Sequence, residues 1–230
     1  MRLISMNRIA LATTLLFATL SATLPAFAQF SAPPNSGTTF KDTSMVKAPP
    51  GAKVAIYDFE DLECPACAHA YPIVHAAAER YKIPIVRHDF PLKMHIWSFD
   101  AAVVARYMQD KISPQLAEDY RRAVFANQTA IASKEDLNSF TQKYLRSHGH
   151  EMPFVVDPSG RFTAEVRADY TLGERIGLTQ TPTIFVVTQK NWTQVTDVSL
   201  LYQVIDTAIA QTASQPATPA KTRRTTTRKK

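Results

Sequence analysis

The chain has 230 residues, 26 Lys and Arg against 20 Asp and Glu, a formal charge of +6, and two cysteines. The surplus charge is local: setting aside Arg2, Arg8 and the six basic residues of Lys221–Lys230 leaves 18 basic against 20 acidic residues in the body. Two cysteines exclude a disulfide-stapled scaffold, so a hydrophobic core must hold the fold.

The chain opens MRLISMNRIALATTLLFATLSATLPAFAQF, with Arg2 and Arg8 ahead of an uncharged apolar run from Ile9 to Leu24. Ala26-Phe27-Ala28 then places small residues where a signal peptidase reads them. Residues 1–28 are expected to be a secretory signal cut before Gln29, and the run is short for a membrane span. The expected compartment is the periplasm or cell envelope, where disulfides persist.

Residues 29–51, with four prolines and two glycines, read as an extended lead-in. KVAIYDF (Lys53–Phe59) alternates and runs apolar as a buried strand does. CPAC (Cys64–Cys67) then opens a helical stretch, with Pro65 suited to its first turn and Pro72 expected to kink it. IPIVRHDF (Ile83–Phe90) predicts a second strand. From Lys93 to Ile176 the spacing turns helical. Val103, Val104, Tyr107 and Met108 make one apolar face, Leu116, Tyr120 and Val124 a second, and Leu137, Phe140, Tyr144 and Leu145 a third. Ser133 with Glu135 and Asp136 marks a helix start, and a further helix is expected over Phe162–Ile176. Strands return at Thr183–Val187 and Trp192–Val195. A last helix carries Val198, Leu201, Tyr202, Ile205, Ala208 and Ile209 on one face. Residues 213–230 are rich in Pro, Thr and Ala, then basic, and are expected to be a disordered tail.

The chemistry rests on Cys64 and Cys67. A cysteine is a nucleophile only as thiolate, and a helix N-terminus favours that charge. Cys64 would sit there, with Cys67 one turn deeper and still protonated. That asymmetry suits a nucleophile and a resolving thiol. A zinc site needs four ligands, and neither His69 nor His75 makes a recognised ligand spacing with CPAC. A structural disulfide closing two intervening residues would restrain little chain entropy.

Asp58-Phe59-Glu60-Asp61-Leu62-Glu63-Cys64-Pro65-Ala66-Cys67 resembles the active-site segment of the thioredoxin superfamily. Gly177 to Val186, GLTQTPTIFV, resembles that superfamily's cis-proline loop and the strand after it. Cys67 and Pro182 are 115 residues apart, and VRHDFPLKMHIWSFDAAVVARYM and YRRAVFANQ resemble DsbA-like proteins of the bacterial envelope. The resemblance implies an α/β thioredoxin fold with a helical domain inserted between the second strand and the cis-proline loop. Its parts would be 52–92, carrying CPAC, an inserted helical domain at 93–176, and 177–212, carrying the loop. It implies Cys64 and Cys67 as the redox-active disulfide, Asp58 as a buried acid exchanging a proton with Cys67, and Thr181 and Pro182 as the substrate-binding segment. His69, Tyr71 and His75 are expected to be surface or packing residues, and His95 and Trp97 to seat the insert.

Three features depart from the family pattern. Ala66 stands where many DsbA oxidases carry histidine, and Gln180 where many relatives carry glycine. Glu60, Asp61 and Glu63 crowd negative charge before Cys64, which is expected to raise its pKa and weaken the pair as an oxidant.

The leading expectation is an extracytoplasmic thiol–disulfide oxidoreductase that oxidises cysteine pairs in secreted proteins. No organic cofactor and no metal are called for, because the cysteine pair is itself the redox group. The expected partners are unfolded or reduced secreted proteins and a membrane reoxidant of the DsbB or VKOR type. Nucleic acid is not expected, and the basic tail is a candidate contact for anionic envelope surfaces. A disulfide isomerase or reductase of the same fold is the alternative. Dedicated isomerases often dimerise through an N-terminal domain, and only about 24 residues separate the expected cleavage site from the first strand, which favours the oxidase; a monomer is expected. A thioredoxin-fold chaperone or binding module without turnover is the non-enzymatic alternative.

Overall fold

The computed structural model describes residues 31–32 and 40–213. The expected signal peptide and the basic tail beyond Ala213 lie outside the described residues. Those residues form five strands, β1 (Ser31–Ala32), β2 (Val54–Glu60), β3 (Ile85–Asp89), β4 (Thr183–Thr188) and β5 (Trp192–Val195). Six helices accompany them: α1 (Pro65–Tyr81), α2 (Ser98–Lys111), α3 (Pro114–Ala126), α4 (Lys134–Ser147), α5 (Arg161–Ile176) and α6 (Leu201–Ala213). From β2 onward the order is that expected from the periodicity: strand, helix, strand, helical block, two strands, helix; β1 is an addition, a two-residue strand within the segment expected as an extended lead-in, paired with β5.

The sheet runs β1-β5-β4-β2-β3, with β2 parallel to β3 and the other pairs antiparallel. All seven residues of β2 are buried, as befits a central strand covered on both faces. Alternation assigns the faces. Val54 and Ile56 pack with Ala70, Val74 and Ala77 of α1 and Leu201, Val204 and Ile205 of α6. Ala55, Tyr57 and Phe59 pack on the other face with Phe185, Val187, Phe90 and Ile176. Asp58 and Glu60 share parity with Ile56, so both stand on the α1 side of the sheet.

The region 93–176, expected as one helical insert, serves two purposes. Helices α2, α3 and α4 build a core of their own around Trp97, Met108, Tyr120, Val124, Leu137 and Leu145, which also takes in Leu62, Cys64, Cys67 and Tyr71. Helix α5 instead places Ile176 and Tyr170 in the sheet's second core. Its Gly173 lets Phe90 approach: a Cβ there would lie 2.5 Å from two atoms of the Phe90 ring. Gly177, at φ +92°, ends α5 in the left-handed conformation. The described part of the lead-in is no loose arm either. Phe40, Val46 and Ala48 are buried in the same core, and Phe40 meets Phe185 and Trp192 edge-on.

Local signals start the helices of the insert. Ser113 caps α3 through Leu116 N–H at 3.0 Å, and Ser133 caps α4 through Asp136 N–H at 3.0 Å. Helix α1 runs through Pro72 and stops at Lys82, whose left-handed φ of 54° lets its N–H reach back to the last turn.

Charge fastens the helical layer to the sheet. Arg121 of α3 is 1% exposed and donates to Glu60 Oε1 at 3.0 Å and to Asp89 at 2.7 and 3.1 Å. Glu60 and Asp89 are register partners on β2 and β3, so without a cation two carboxylates would face each other inside the protein. Arg87 pairs with Glu60 at 2.8 Å and Glu118 at 2.8 Å, and Arg106 of α2 joins Asp89 to Asp169 of α5. Burial disfavours the ionised Asp89, but Arg121 and Arg106 outweigh it and hold its carboxyl down at about 2.

Two predictions follow from this packing. Arg121→Ala leaves two buried carboxylates without their shared cation and should cost about 3–5 kcal/mol in urea unfolding; a loss below ~1 kcal/mol would show that the network is dispensable. Gly173→Ala should cost roughly 1–3 kcal/mol by displacing the Phe90 ring, and an unchanged unfolding midpoint would contradict that contact.

Candidate active site

Cys64 is the N-cap of α1, at φ −82° and ψ 120°, with Pro65 in the first turn. A cap residue stands outside the helix while the first turn's unpaired amides point toward it. The Cys64 side chain accordingly lies over those N–H groups, and Cys64 N–H closes a turn onto Asp61 O at 3.0 Å. One turn deeper, Cys67 is 2% exposed and Cys64 7%. Both cysteines are free thiols.

The second wall comes from the loop before β4. The Thr181–Pro182 peptide is cis, as the sequence led us to expect, and Cys64 Sγ donates to Thr181 O at 3.4 Å. Gln180 is exposed and its carbonyl accepts from Thr183 Oγ1 at 2.8 Å. Its side chain therefore does not hold the loop off Cys64. Thr181 Oγ1 is buried and meets no donor or acceptor but the Cys64 sulfur, whose thiolate its hydroxyl favours.

The electrostatics split the two sulfurs. Cys64 is lowered to about 5: a hydrogen bond from the Cys67 thiol contributes most, opposed by burial and helped by Thr181 and the amides of Cys67 and Ala66. Burial above all pushes the Cys67 thiol up, and its hydrogen bond to Cys64 adds to that. At neutral pH the arrangement is one thiolate and one thiol.

The expectation that Glu60, Asp61 and Glu63 raise the Cys64 pKa is therefore overturned. The carboxylates are turned away and occupied. Glu60 meets Arg87 and Arg121. Asp61 accepts from Leu92 N–H at 2.6 Å and Glu63 N–H at 2.8 Å, and it contacts Ser98 and His95. Glu63 caps α2, accepting from Trp97 N–H at 2.7 Å and Ser98 N–H at 3.0 Å. Ala66 donates no side-chain hydrogen bond, and the thiolate is lowered without one.

Asp58 lies under α1, fully enclosed, with Oδ1 unpaired. Burial chiefly, then the nearby Glu60 charge, pushes its carboxyl up to about 8, so it is protonated at neutral pH. Its charged form acts on Cys67, raising that thiol further. Away from the sulfurs, His69 is exposed, while Tyr71 bonds to Glu118 and His75 lies 3.1 Å from Arg87. Trp97 is buried and donates from Nε1 to Ile131 O at 3.0 Å, and His95 Nδ1 lies 2.6 Å from Asp61. Both seat the insert, as expected.

Sequence reasoning passed over Gln128, whose side-chain amide donates to Leu62 O at 2.8 Å and Cys64 O at 3.1 Å. It also passed over Arg121. That arginine's place beside Tyr120 and four residues from Ala117 put it on the apolar stripe of α3, which was a readable sign of burial.

A strand, a helix opened by a buried cysteine pair, and a cis-proline loop meeting that pair define a thiol–disulfide exchange centre in a thioredoxin-type sheet. A family model described as thioredoxin matches residues 41–207, and the chain belongs to the thioredoxin family. No curated protein matches it. Among solved structures it is similar to ScsC of Proteus mirabilis in a transitional conformation, at 14% identity and TM-score 0.57, covering 71% of each chain. The thiol-disulfide exchange protein alpha-DsbA2 of Wolbachia pipientis matches at 16% identity and TM-score 0.55, over 70% of this chain and 84% of that one. A periplasmic thioredoxin-like protein of Salmonella enterica serovar Typhimurium matches at 17% and 0.55, over 71% and 88%. The fold is thus DsbA-like, a thioredoxin sheet with helices between its second and third long strands.

The thiolate gives a direct test. Alkylation of the reduced protein should accelerate about tenfold per pH unit while Cys64 is still mostly protonated, then level off above its midpoint. That midpoint should fall near 5. A midpoint near the ordinary cysteine value of about 8.5 would mean the site does not stabilise the thiolate.

Proposed function

We propose that the protein is an extracytoplasmic thiol–disulfide oxidoreductase that oxidises cysteine pairs of secreted polypeptides through a Cys64–Cys67 disulfide. The observation that carries this reading is the divergence of the two thiols, one lowered to about 5 and the other raised. At pH 7 an unperturbed Cys67 would be protonated anyway, so raising it changes little. Lowering Cys64 from an ordinary thiol to about 5 favours the reduced pair by about 3 kcal/mol, or about 60 mV toward the oxidising side. The periplasmic and thiol–disulfide-exchange neighbours and the secretory leader read from the sequence support the compartment.

The reaction runs in two exchanges. A client thiolate attacks Cys64 Sγ, the Cys64–Cys67 bond breaks, and Cys67 leaves with the electron pair and takes a proton. Asp58, protonated and on the same side of the sheet, is assigned as the source of that proton and regains it from solvent. The client's second thiol loses its proton to solvent and attacks the client sulfur of the mixed disulfide, expelling Cys64 as a stable thiolate. The client ends as a disulfide and the pair as a dithiol, two electrons richer. A quinone-linked membrane partner of the DsbB or VKOR type would remove those electrons. The Thr181 backbone, beside Cys64 and next to the cis bond, is assigned to align the client's main chain. In the loop that reaches Asp61 through Leu92 and His95, Met94 and Ile96 are exposed and offer apolar contact to an unfolded chain.

The decisive measurement is the equilibrium of the pair against a glutathione series, read by thiol labelling with Cys64→Ser as blank. A potential between about −100 and −180 mV is expected, and a value near about −270 mV would make the protein a reductase. Cys67→Ser should hold the mixed disulfide with a reduced client. Asp58→Asn should slow reduction of the Cys64–Cys67 disulfide by a client dithiol at pH 7 at least about tenfold. An unchanged rate would remove Asp58 from the proton path.

A further inference from the structure

We propose that Gln128 is a positioning residue for the thiolate: its amide bridges the helical layer to the backbone on either side of Glu63 and holds Cys64 over the N-terminus of α1. The inference rests on the reading of Cys64 and Cys67 as the exchange centre. Gln128 begins the short turn after α3 and is half-buried. Its Nε2 donates to Leu62 O at 2.8 Å and to Cys64 O at 3.1 Å. Both amide protons are thus spent on carbonyls two residues apart in the loop that delivers Cys64 to the helix.

Two things make this more than a loop contact. The Cys64 carbonyl also accepts Ala68 N–H at 3.1 Å, so it is the first acceptor of α1. Fixing it fixes the direction in which the amides of Ala66 and Cys67 point, and those amides help lower Cys64. The segment carrying Gln128 is itself anchored, because Arg121, two helical turns earlier, is clamped between Glu60 and Asp89. The clamp stands on the sheet, and the amide reaches the loop. The Gln128 amide also sets the positive end of a dipole beside the carbonyl of the reactive residue, which favours a thiolate there.

The test compares wild type, Gln128→Glu and Gln128→Leu in the full reduced chain. Cys64 ionisation is followed by thiolate absorbance against pH, with thermal unfolding in parallel. Gln128→Glu keeps the shape but turns an acceptor and a negative charge on two carbonyls, and should raise the Cys64 pKa by about one unit. Alkylation at pH 5 should then slow by roughly fivefold. Gln128→Leu removes the donors without adding charge, and should move the pKa the same way by about half as much. A purely structural role would lower the unfolding midpoint and leave the pKa in place. A Cys64 pKa within about 0.2 unit of wild type in every variant that folds therefore overturns the proposal, and Gln128→Leu decides alone if Gln128→Glu does not fold. No client or glutathione enters the assay. An ordinary wild-type pKa would overturn the exchange-centre reading and this proposal with it, whereas a low wild-type pKa shared by the variants would overturn the Gln128 assignment alone.

Discussion

Arg121 is the side chain on which the arrangement depends. Glu60 and Asp89 stand opposite each other on neighbouring parallel strands, both out of water. Two carboxylates in that position repel each other and pay the full cost of desolvation. The cation that resolves this comes from a different layer of the protein, so the sheet edge and the helices cannot be assembled independently. Arg87, Arg106, Glu118 and Asp169 extend the same exchange of charge to α2, α3 and α5. A greasy interface would hold the layers with more tolerance for sliding. Directional ion pairs fix one docking position instead, at some cost in stability relative to an apolar seam.

That fixed position matters because the sulfurs belong to both layers. Cys67 hangs from a helix laid on the sheet, but its side chain is enclosed by the core of α2, α3 and α4. The loop before Cys64 is held from the same side: Asp61 by Leu92, His95 and Ser98, Glu63 by the first amides of α2, and the Leu62 and Cys64 carbonyls by Gln128. What looks in sequence like a line of acids repelling a thiolate is, in space, a set of struts. Their carboxylates are engaged by donors of the surrounding loop and helices and turned from the sulfur, which leaves the dipole of α1 and the Cys67 thiol to act on Cys64.

Much of this was written in short-range patterns. The strand ahead of CPAC, the proline in the first turn, and TPTIFVV after a long helical stretch each encode local geometry, and each folds as its pattern indicates. Element order and the two cysteines followed from those. What the pattern could not carry was direction. Nothing in the spacing of Glu60, Asp61 and Glu63 says which way their carboxylates turn, because the donors that capture them lie at Arg121, Ser98 and Trp97. The return of α5 to the sheet was hidden for a related reason. Its helical period resembles that of α2 to α4, and only tertiary contacts, Ile176 and Tyr170 in the sheet's core and Gly173 against Phe90, show which core it serves. Phe40 and Val46 were passed over because isolated apolar residues among prolines and lysines give no periodic signal, although tertiary packing buries them.

The enclosure of the cysteine pair within the core of the helices has a further meaning for how such a protein can change over generations. The loop that carries the exposed Met94 and Ile96 also supplies the Leu92, His95 and Trp97 groups that hold Asp61 and Glu63 ahead of Cys64. A drift in helix sequence that reshapes the outer face shifts, through Glu63 and Gln128, the electrical surroundings of Cys64. On the proposed function, client contact and the strength of the thiolate are therefore geared to one another, and a lineage that alters one inherits a change in the other unless a second substitution restores it.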